Sequence, residues 1–268
     1  DLFKEAAMPY EWQPILAEYA KSIGIDWFSS PFDFEGVDFL ESINCPKYKI
    51  ASFEIVDIPL VKYVAKTMKP VIMSTGIATV EDIQLALDTC YNEGNNQICL
   101  LKCTSSYPTP YSDINLNTIK WLKSKFNVQI GLSDHTLGIE VPIAAVSLGA
   151  AIIEKHFILD RSEGGPDASF SINPKELKAM VDSIRNIEKA LGKEEYELSK
   201  QSLKNKERSR SLFAVKDIRK GQLLTKDNIK SLRPALGLPT KYYENILNST
   251  ASVNIKCGTP LSWDLIEK

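Results

Sequence analysis

Along the first 192 residues, short apolar runs alternate with stretches of helical periodicity. The runs are Asp26–Ser30, Tyr48–Ser52, Pro70–Ser74, Ile98–Thr104, Gln129–Ser133 and Ala151–Phe157. Continuous apolar segments of this length, bounded by turn residues, read as parallel strands buried on both faces. Amphipathic helices are expected over Ile58–Thr67, Val80–Tyr91 and Leu116–Lys125, with Glu11–Ile23 ahead of the first run. Pro174–Leu191 follows the last run, and Asn173 is placed to cap it. Strands separated by single helices are βαβ units with right-handed crossovers. One sheet built that way is either doubly wound or closed into a barrel. No glycine-rich phosphate loop follows any strand, which weighs against the dinucleotide-binding option.

The polar positions favour the barrel. Nearly every run ends in a hydroxyl, acid, Lys or His: Ser30, Ser52 with Glu54, Ser74, Thr104 with Ser105, Ser133 with His135, and His156. In a TIM-type (β/α)8 barrel all C-terminal strand ends open onto one cavity, where active sites gather. One helix and six strand–helix units fall short of eight. The expectation is a barrel lacking its first strand, helix and strand, about 60–80 residues at the usual repeat length. The start, Asp1-Leu2-Phe3-Lys4-Glu5, has no signal-peptide features and no initiator Met, so the chain reads as processed or incomplete.

Beyond Gly192 the pattern changes. Residues 1–192 are read as the barrel, 193–206 as a charged linker with some helix, and 207–268 as a small separate module. That module has short strands and turns at Lys220-Gly221 and Cys257-Gly258. A module of about 60 residues is marginal alone, so docking is expected to stabilise it.

Composition narrows the class without naming it. The chain is 44% hydrophobic and 25% charged, with a net charge of −2. No apolar run approaches the ~20 residues that span a bilayer, so no membrane association is expected. The five cysteines show no short paired spacing, and a reducing cytoplasm suits them. Residues 200–235 hold 11 Lys and Arg against 3 Asp and Glu, a net of +8, whereas the remainder has 21 against 31, a net of −10. Without aromatic interleaving or a nucleic-acid motif, this basic segment reads as docking on an acidic barrel, its own or a partner's.

The only two histidines, His135 and His156, both sit at strand ends. Adjacent barrel strands would bring the two imidazoles within reach of one divalent ion, leaving positions open for water and substrate. A structural role for either ring is the plainer alternative. Imidazole ligation does not separate Mn²⁺, Mg²⁺ and Fe²⁺. Lys49 supplies a point charge for phosphate or carboxylate, and Ser30, Ser52, Ser74, Ser105 and Ser133 supply a ring of neutral donors. Under strict strand alternation Ser52 and Glu54 share a face, and Lys49 needs a bulge or twist to join them. Gly164-Gly165-Pro166-Asp167 is a flexible loop presenting a carboxylate. Tyr107-Pro108-Thr109-Pro110-Tyr111 is a stiff loop able to wall the pocket.

Together these segments resemble the sialic acid (nonulosonic acid) synthase family. The resemblance rests on Phe28-Ser29-Ser30-Pro31-Phe32, the Tyr48–Glu54 stretch, Met73-Ser74-Thr75-Gly76 and Leu101–Tyr111. It continues through Gly131–Thr136, Glu154-Lys155-His156-Phe157 and Gly165-Pro166-Asp167. The stretches Ser211–Val215 and Lys230–Pro234 look like the antifreeze-like (SAF) domain that follows the barrel in that family.

The resemblance implies a transferase condensing phosphoenolpyruvate with an amino-sugar aldehyde. His135 and His156 would hold a divalent metal, Mn²⁺ first and Mg²⁺ or another ion next. Lys49, Ser30, Ser52, Ser74, Ser105 and Ser133 would bind phosphoenolpyruvate. Glu54, Tyr107 and Asp167 would face the sugar and the reacting carbons. Arg233 would reach into the other subunit's barrel in a domain-swapped homodimer. Ala51-Ser52-Phe53-Glu54, the Gly164–Ser171 stretch and Met8–Trp12 lean towards the pseudaminic branch, with N-acetylneuraminate and legionaminate synthases as alternatives. Ser105 stands where some members have Asn, and Ser30 where some have Thr. The family's N-terminal strands, with a phosphate-binding Lys, have no counterpart in the sequence. Two rivals are another phosphoenolpyruvate-condensing or aldolase barrel, where a Schiff-base aldolase could use Lys49 or Lys102, and a non-catalytic sugar or metal carrier.

Overall fold

A computed structural model describes residues 8–267. The Asp1–Glu5 start and Lys268 lie outside them. The chain divides after Gly192 into two compact units.

The first unit opens with helices α1 (Trp12–Ser22) and α2 (Phe34–Ser42). Strand and helix then alternate: β1 (Tyr48–Ile50), α3 (Ile58–Ala65), β2 (Val71–Ser74), α4 (Val80–Asn92) and β3 (Ile98–Cys103). The series continues through α5 (Thr118–Phe126), β4 (Gln129–Asp134), α6 (Glu140–Ser147), β5 (Ile153–Lys155) and α7 (Pro174–Leu191). All five strands are parallel and lie in chain order, β1-β2-β3-β4-β5. This is the winding of a TIM-type (β/α) barrel. Among the described residues the sheet stays open at both edges.

Side-chain alternation divides the strands into two layers. Tyr48, Ile50, Val71, Met73, Ile98, Leu100, Ile130 and Leu132 face outwards and share one core with the helices. Ile72, Cys99 and Leu101 form a small inner cluster with Ile152. Gly131 lets that layer close, because a Cβ there would sit 2.5 Å from both the Ile152 carbonyl and Leu101 Cδ2. Local signals fix the helix starts. Asn173 and Glu176 form a reciprocal capping box at α7, as do Thr79 and Asp82 at α4.

The expected strand over Asp26–Ser30 is reduced to a single bridge, Ser29 to Tyr48. The Ser29 carbonyl accepts from the Lys49 N–H at 3.1 Å, but no further strand flanks it among the described residues. Ile25, Trp12, Ile15 and Tyr19 are exposed on that side, so nothing holds the segment in extended pairing.

The second unit contains α8 (Lys200–Lys206), the antiparallel pair β6 (Ser211–Ala214) and β7 (Ile229–Leu232), the short helix α9 (Tyr243–Ile246), and the pair β8 (Thr250–Ala251) and β9 (Ile266–Glu267). Leu212, Ile218, Leu224, Ile229, Ile255 and Leu261 make its separate core. Among the described residues, no helix is long and apolar enough to cross a membrane.

Candidate active site at the strand ends

The same alternation that buries Leu132 and Ile153 outwards turns Lys49, Ser74, Cys103, Ser133 and Glu154 inwards, with His135 and His156 one step past the strands. Lys49 is 6% exposed, and its Nζ donates to the Ile50 carbonyl at 2.9 Å. It lies 3.7 Å from Glu154 Oε2, while Ser133 Oγ donates to Glu154 Oε1 at 2.7 Å. Burial pushes the Lys49 ammonium below its usual pKa, with the Glu154 carboxylate acting in the opposite direction.

No bulge brings Lys49 and Ser52 together, contrary to the strict-alternation expectation. Strand β1 ends at Ile50 and the chain turns over Ser52–Val56, which frees Ser52 from the strand's alternation. Its Oγ donates to Cys103 Sγ at 3.3 Å and accepts from the Gly76 N–H at 3.2 Å. Gly76 permits this approach: a Cβ there would lie 2.2 Å from Ser105 Oγ and 2.7 Å from Ser52 Oγ. Ser74 Oγ, Ser105 Oγ and Glu54 Oε2 are buried without a hydrogen-bond partner. Orphaned buried polar atoms are costly, and here the two hydroxyls belong to the group that surrounds Lys49 and Ser52. A bound anion would satisfy them. Burial also raises the Glu54 carboxyl above the ordinary carboxylate range, a perturbation common where proton transfer is performed.

The two imidazoles come together. Their ring centroids are 5.2 Å apart. His135 Nδ1 lies 3.1 Å from the Thr104 carbonyl oxygen; a carbonyl only accepts, so Nδ1 carries the proton and Nε2 the lone pair. His156 Nδ1 faces Asp167 Oδ2 at 3.3 Å, which orients that ring in the same sense. Burial, with His135 adding to it and Asp167 opposing, holds His156 below its usual pKa. At His135 burial acts in the same direction, but Cys103 and the Thr104 carbonyl outweigh it and raise the pKa.

Metal-bound histidines characteristically direct one nitrogen to a carbonyl or carboxylate and the other to the ion, and this donor set fits a divalent metal. Among the described residues no group of three or more His, Cys, Asp or Glu side chains is arranged to hold an ion. The two imidazoles are the side chains that would hold such an ion.

The Tyr107 ring packs at a tilt, 4.4 Å from that of His135 and 6.3 Å from that of His156. The loop is pinned by Thr109, whose N–H donates to the His135 carbonyl at 3.0 Å and whose Oγ1 donates to the Ser106 carbonyl at 2.7 Å. Ser30 is half-buried just past the Ser29–Tyr48 bridge, and no side-chain hydrogen bond ties it to the others. Arg233 belongs to the second unit, exposed just beyond β7.

Sequence reasoning missed Glu154, Cys103 and Phe170. Glu154 stands two residues before His156 on one strand, so period-two alternation could have found it. Cys103 likewise falls on the inward phase of β3. Phe170 carried no local signal. It reaches the site because the Ile172 N–H donates to the His156 carbonyl at 2.8 Å, folding its segment back. Its ring then packs 5.0 Å from His156 and 5.8 Å from Tyr107.

The sequence profile of the NeuB family matches residues 1–196, and that of the SAF domain matches residues 209–267. The chain belongs to the NeuB family. Among its NeuB-family relatives, the pseudaminic acid synthase of Helicobacter pylori is 48% identical, over 100% of this chain and 79% of its own. The N,N'-diacetyllegionaminic acid synthase of Legionella pneumophila is 38% identical, over 100% and 76%. A crystal structure of the spore coat polysaccharide biosynthesis protein SpsE from Bacillus subtilis superposes with a TM-score of 0.66 at 36% identity, covering 98% of this chain and 79% of that one.

Proposed function

We propose that the protein is a nonulosonic acid synthase of the pseudaminic branch. It condenses phosphoenolpyruvate with a 2,4-diacetamido-2,4,6-trideoxy hexose (6-deoxy-AltdiNAc), giving a nine-carbon acid and phosphate. The observation that carries the reading is the meeting of a buried lysine and partnerless hydroxyls with two oriented imidazoles at one sheet edge. The 48% identity to a pseudaminic acid synthase, against 38% to a legionaminic one, favours the branch.

In this reading Lys49 and the serines Ser52, Ser74, Ser105 and Ser133 hold the phosphate and carboxylate in place, which fixes C3 of phosphoenolpyruvate towards the sugar. Ser30 completes that ring at its edge. His135 and His156 would hold a divalent ion, Mn²⁺ first and Mg²⁺ next, which would supply Lewis-acid polarisation of the sugar aldehyde. Tyr107, Phe170 and Asp167 line the sugar side. C3 forms the new bond to the aldehyde carbon, and positive charge develops at C2. Water adds to C2 as Glu54 takes its proton, which passes on to the alkoxide left by the aldehyde. The C2–O bond to phosphate then breaks, phosphate leaves, and the new C2 hydroxyl gives up its own proton as the ketone forms.

Phosphate release from phosphoenolpyruvate, with 6-deoxy-AltdiNAc and with N-acetylmannosamine in parallel, tests the reading. Release with the first sugar alone is expected. Release with the second alone moves the protein to another branch. Ligand binding without release makes it a carrier, and a borohydride-trapped adduct at Lys49 or Lys102 makes it an aldolase.

Gly76→Ala should weaken phosphoenolpyruvate binding while the chain still folds. Its methyl would enter the space between Ser52 and Ser105, and overpacking of this kind costs about 1–3 kcal/mol. The check is the KM for phosphoenolpyruvate, expected to rise about ten-fold or more.

We further place Arg233 at the barrel mouth of a second copy of the chain. Mixing refolded His135→Ala and Arg233→Ala chains, each inactive alone, should then restore about a quarter of the activity, since only mixed dimers rebuild one intact site. No recovery would contradict the swap.

A further inference from the structure

One buried ion pair serves neither the anion cradle nor the helix core. Lys155 Nζ lies 2.6 Å from Asp134 Oδ2 and donates to the Thr136 carbonyl, also at 2.6 Å. The Asp134 carboxylate accepts from the Thr136 N–H at 3.0 Å and from its Oγ1 at 2.9 Å. The two charged side chains are 4% and 0% exposed. They point to the outer face of the sheet, away from the cavity.

Their position in the ladder gives them meaning. Asp134 and Lys155 are the last paired residues of β4 and β5, and the next residue on each strand is His135 or His156. Past that rung the two chains part company. The His135 carbonyl is taken by the Thr109 N–H at 3.0 Å, and the His156 carbonyl by the Ile172 N–H at 2.8 Å. The strand ladder therefore ends directly beside the two imidazoles, and beyond the Asp134–Lys155 rung their carbonyls bind other segments. The side-chain clamp reinforces this last rung of the ladder, and its bonds to Thr136 also pin the backbone beyond His135. An apolar pair of similar volume would serve stability at least as well, but it would not fix a separation with directed bonds.

We infer that Lys155 and Asp134 are positioning residues, setting the spacing of His135 and His156 and hence the affinity and geometry of the ion they hold. This rests on the reading of those imidazoles as metal ligands. Removing partners that orient metal ligands typically costs 10–100-fold in affinity.

The test is titration calorimetry with Mn²⁺ and the visible spectrum of the Co²⁺-loaded protein, for the wild type, Lys155→Met and Asp134→Asn. Asp134→Asn keeps the shape and guards against a Lys155→Met chain that fails to fold. Ile130→Ala, on the same outer face but remote from both rings, controls for lost stability. Both clamp variants should bind Mn²⁺ about 10–100-fold more weakly with a shifted Co²⁺ spectrum. Ile130→Ala should melt earlier yet bind like the wild type. Wild-type affinity and spectrum in a folded clamp variant overturn the inference alone. A wild type whose Mn²⁺ binding is absent, or survives His135→Ala, overturns the metal reading and the inference with it.

Discussion

His135→Ala and His156→Ala should each lose turnover by about 10³-fold or more while keeping the fold. The two rings have their Nδ1 atoms committed to Thr104 and Asp167, so both Nε2 atoms are left for one ion. A Lewis acid contributes several kcal/mol to a transition state that develops charge on a carbonyl oxygen, and each 1.36 kcal/mol is ten-fold in rate. Loss of one of only two protein donors removes that contribution almost wholly. Steady-state phosphate release under saturating Mn²⁺ measures it, alongside a thermal melt to show that the chain is folded. Full activity of His135→Ala in metal-free buffer would refute the metal role.

The second large effect is expected at Lys49. Lys49→Met should raise the KM for phosphoenolpyruvate about 10–10²-fold, since a hydrogen bond to a charged group contributes about 1.5–3 kcal/mol. The ammonium is the buried cation of the cradle, and its loss also leaves the Glu154 carboxylate, 3.7 Å away, without its counter-charge. A bound phosphate would then meet an anion in place of a cation. Lys49→Arg should recover only part of the loss, because a guanidinium is larger and planar where the pocket is shaped to a point charge. An unchanged KM in Lys49→Met would remove Lys49 from the site.

The path from sequence to site was short where periodicity governs. Continuous apolar runs predicted buried parallel strands, and β1 to β5 form from them. Asn173 predicted the start of α7 because a cap is a local hydrogen-bond demand. The meeting of His135 and His156 followed from two successive strand ends. Where a residue's place depends on chain beyond its own element, the sequence was mute. Asp26–Ser30 has strand composition, yet an edge without a neighbour keeps only one bridge. Lys49 and Ser52 both come beside Cys103 because β1 stops early, and no residue type announces that stop. Phe170 enters through a loop tied by one backbone hydrogen bond. The Lys155–Asp134 clamp is invisible until the register pairs those two residues.

The whole account depends on the lysine-lined cradle and the paired imidazoles being a single binding site. Crystals of the protein soaked with Mn²⁺ and phosphoenolpyruvate test this most directly, through the anomalous signal of the metal. The prediction is one peak bridging the Nε2 atoms of His135 and His156, with the phosphate of the ligand against Lys49, Ser52, Ser74 and Ser105. Metal bound elsewhere, or ligand bound away from Lys49, would contradict it.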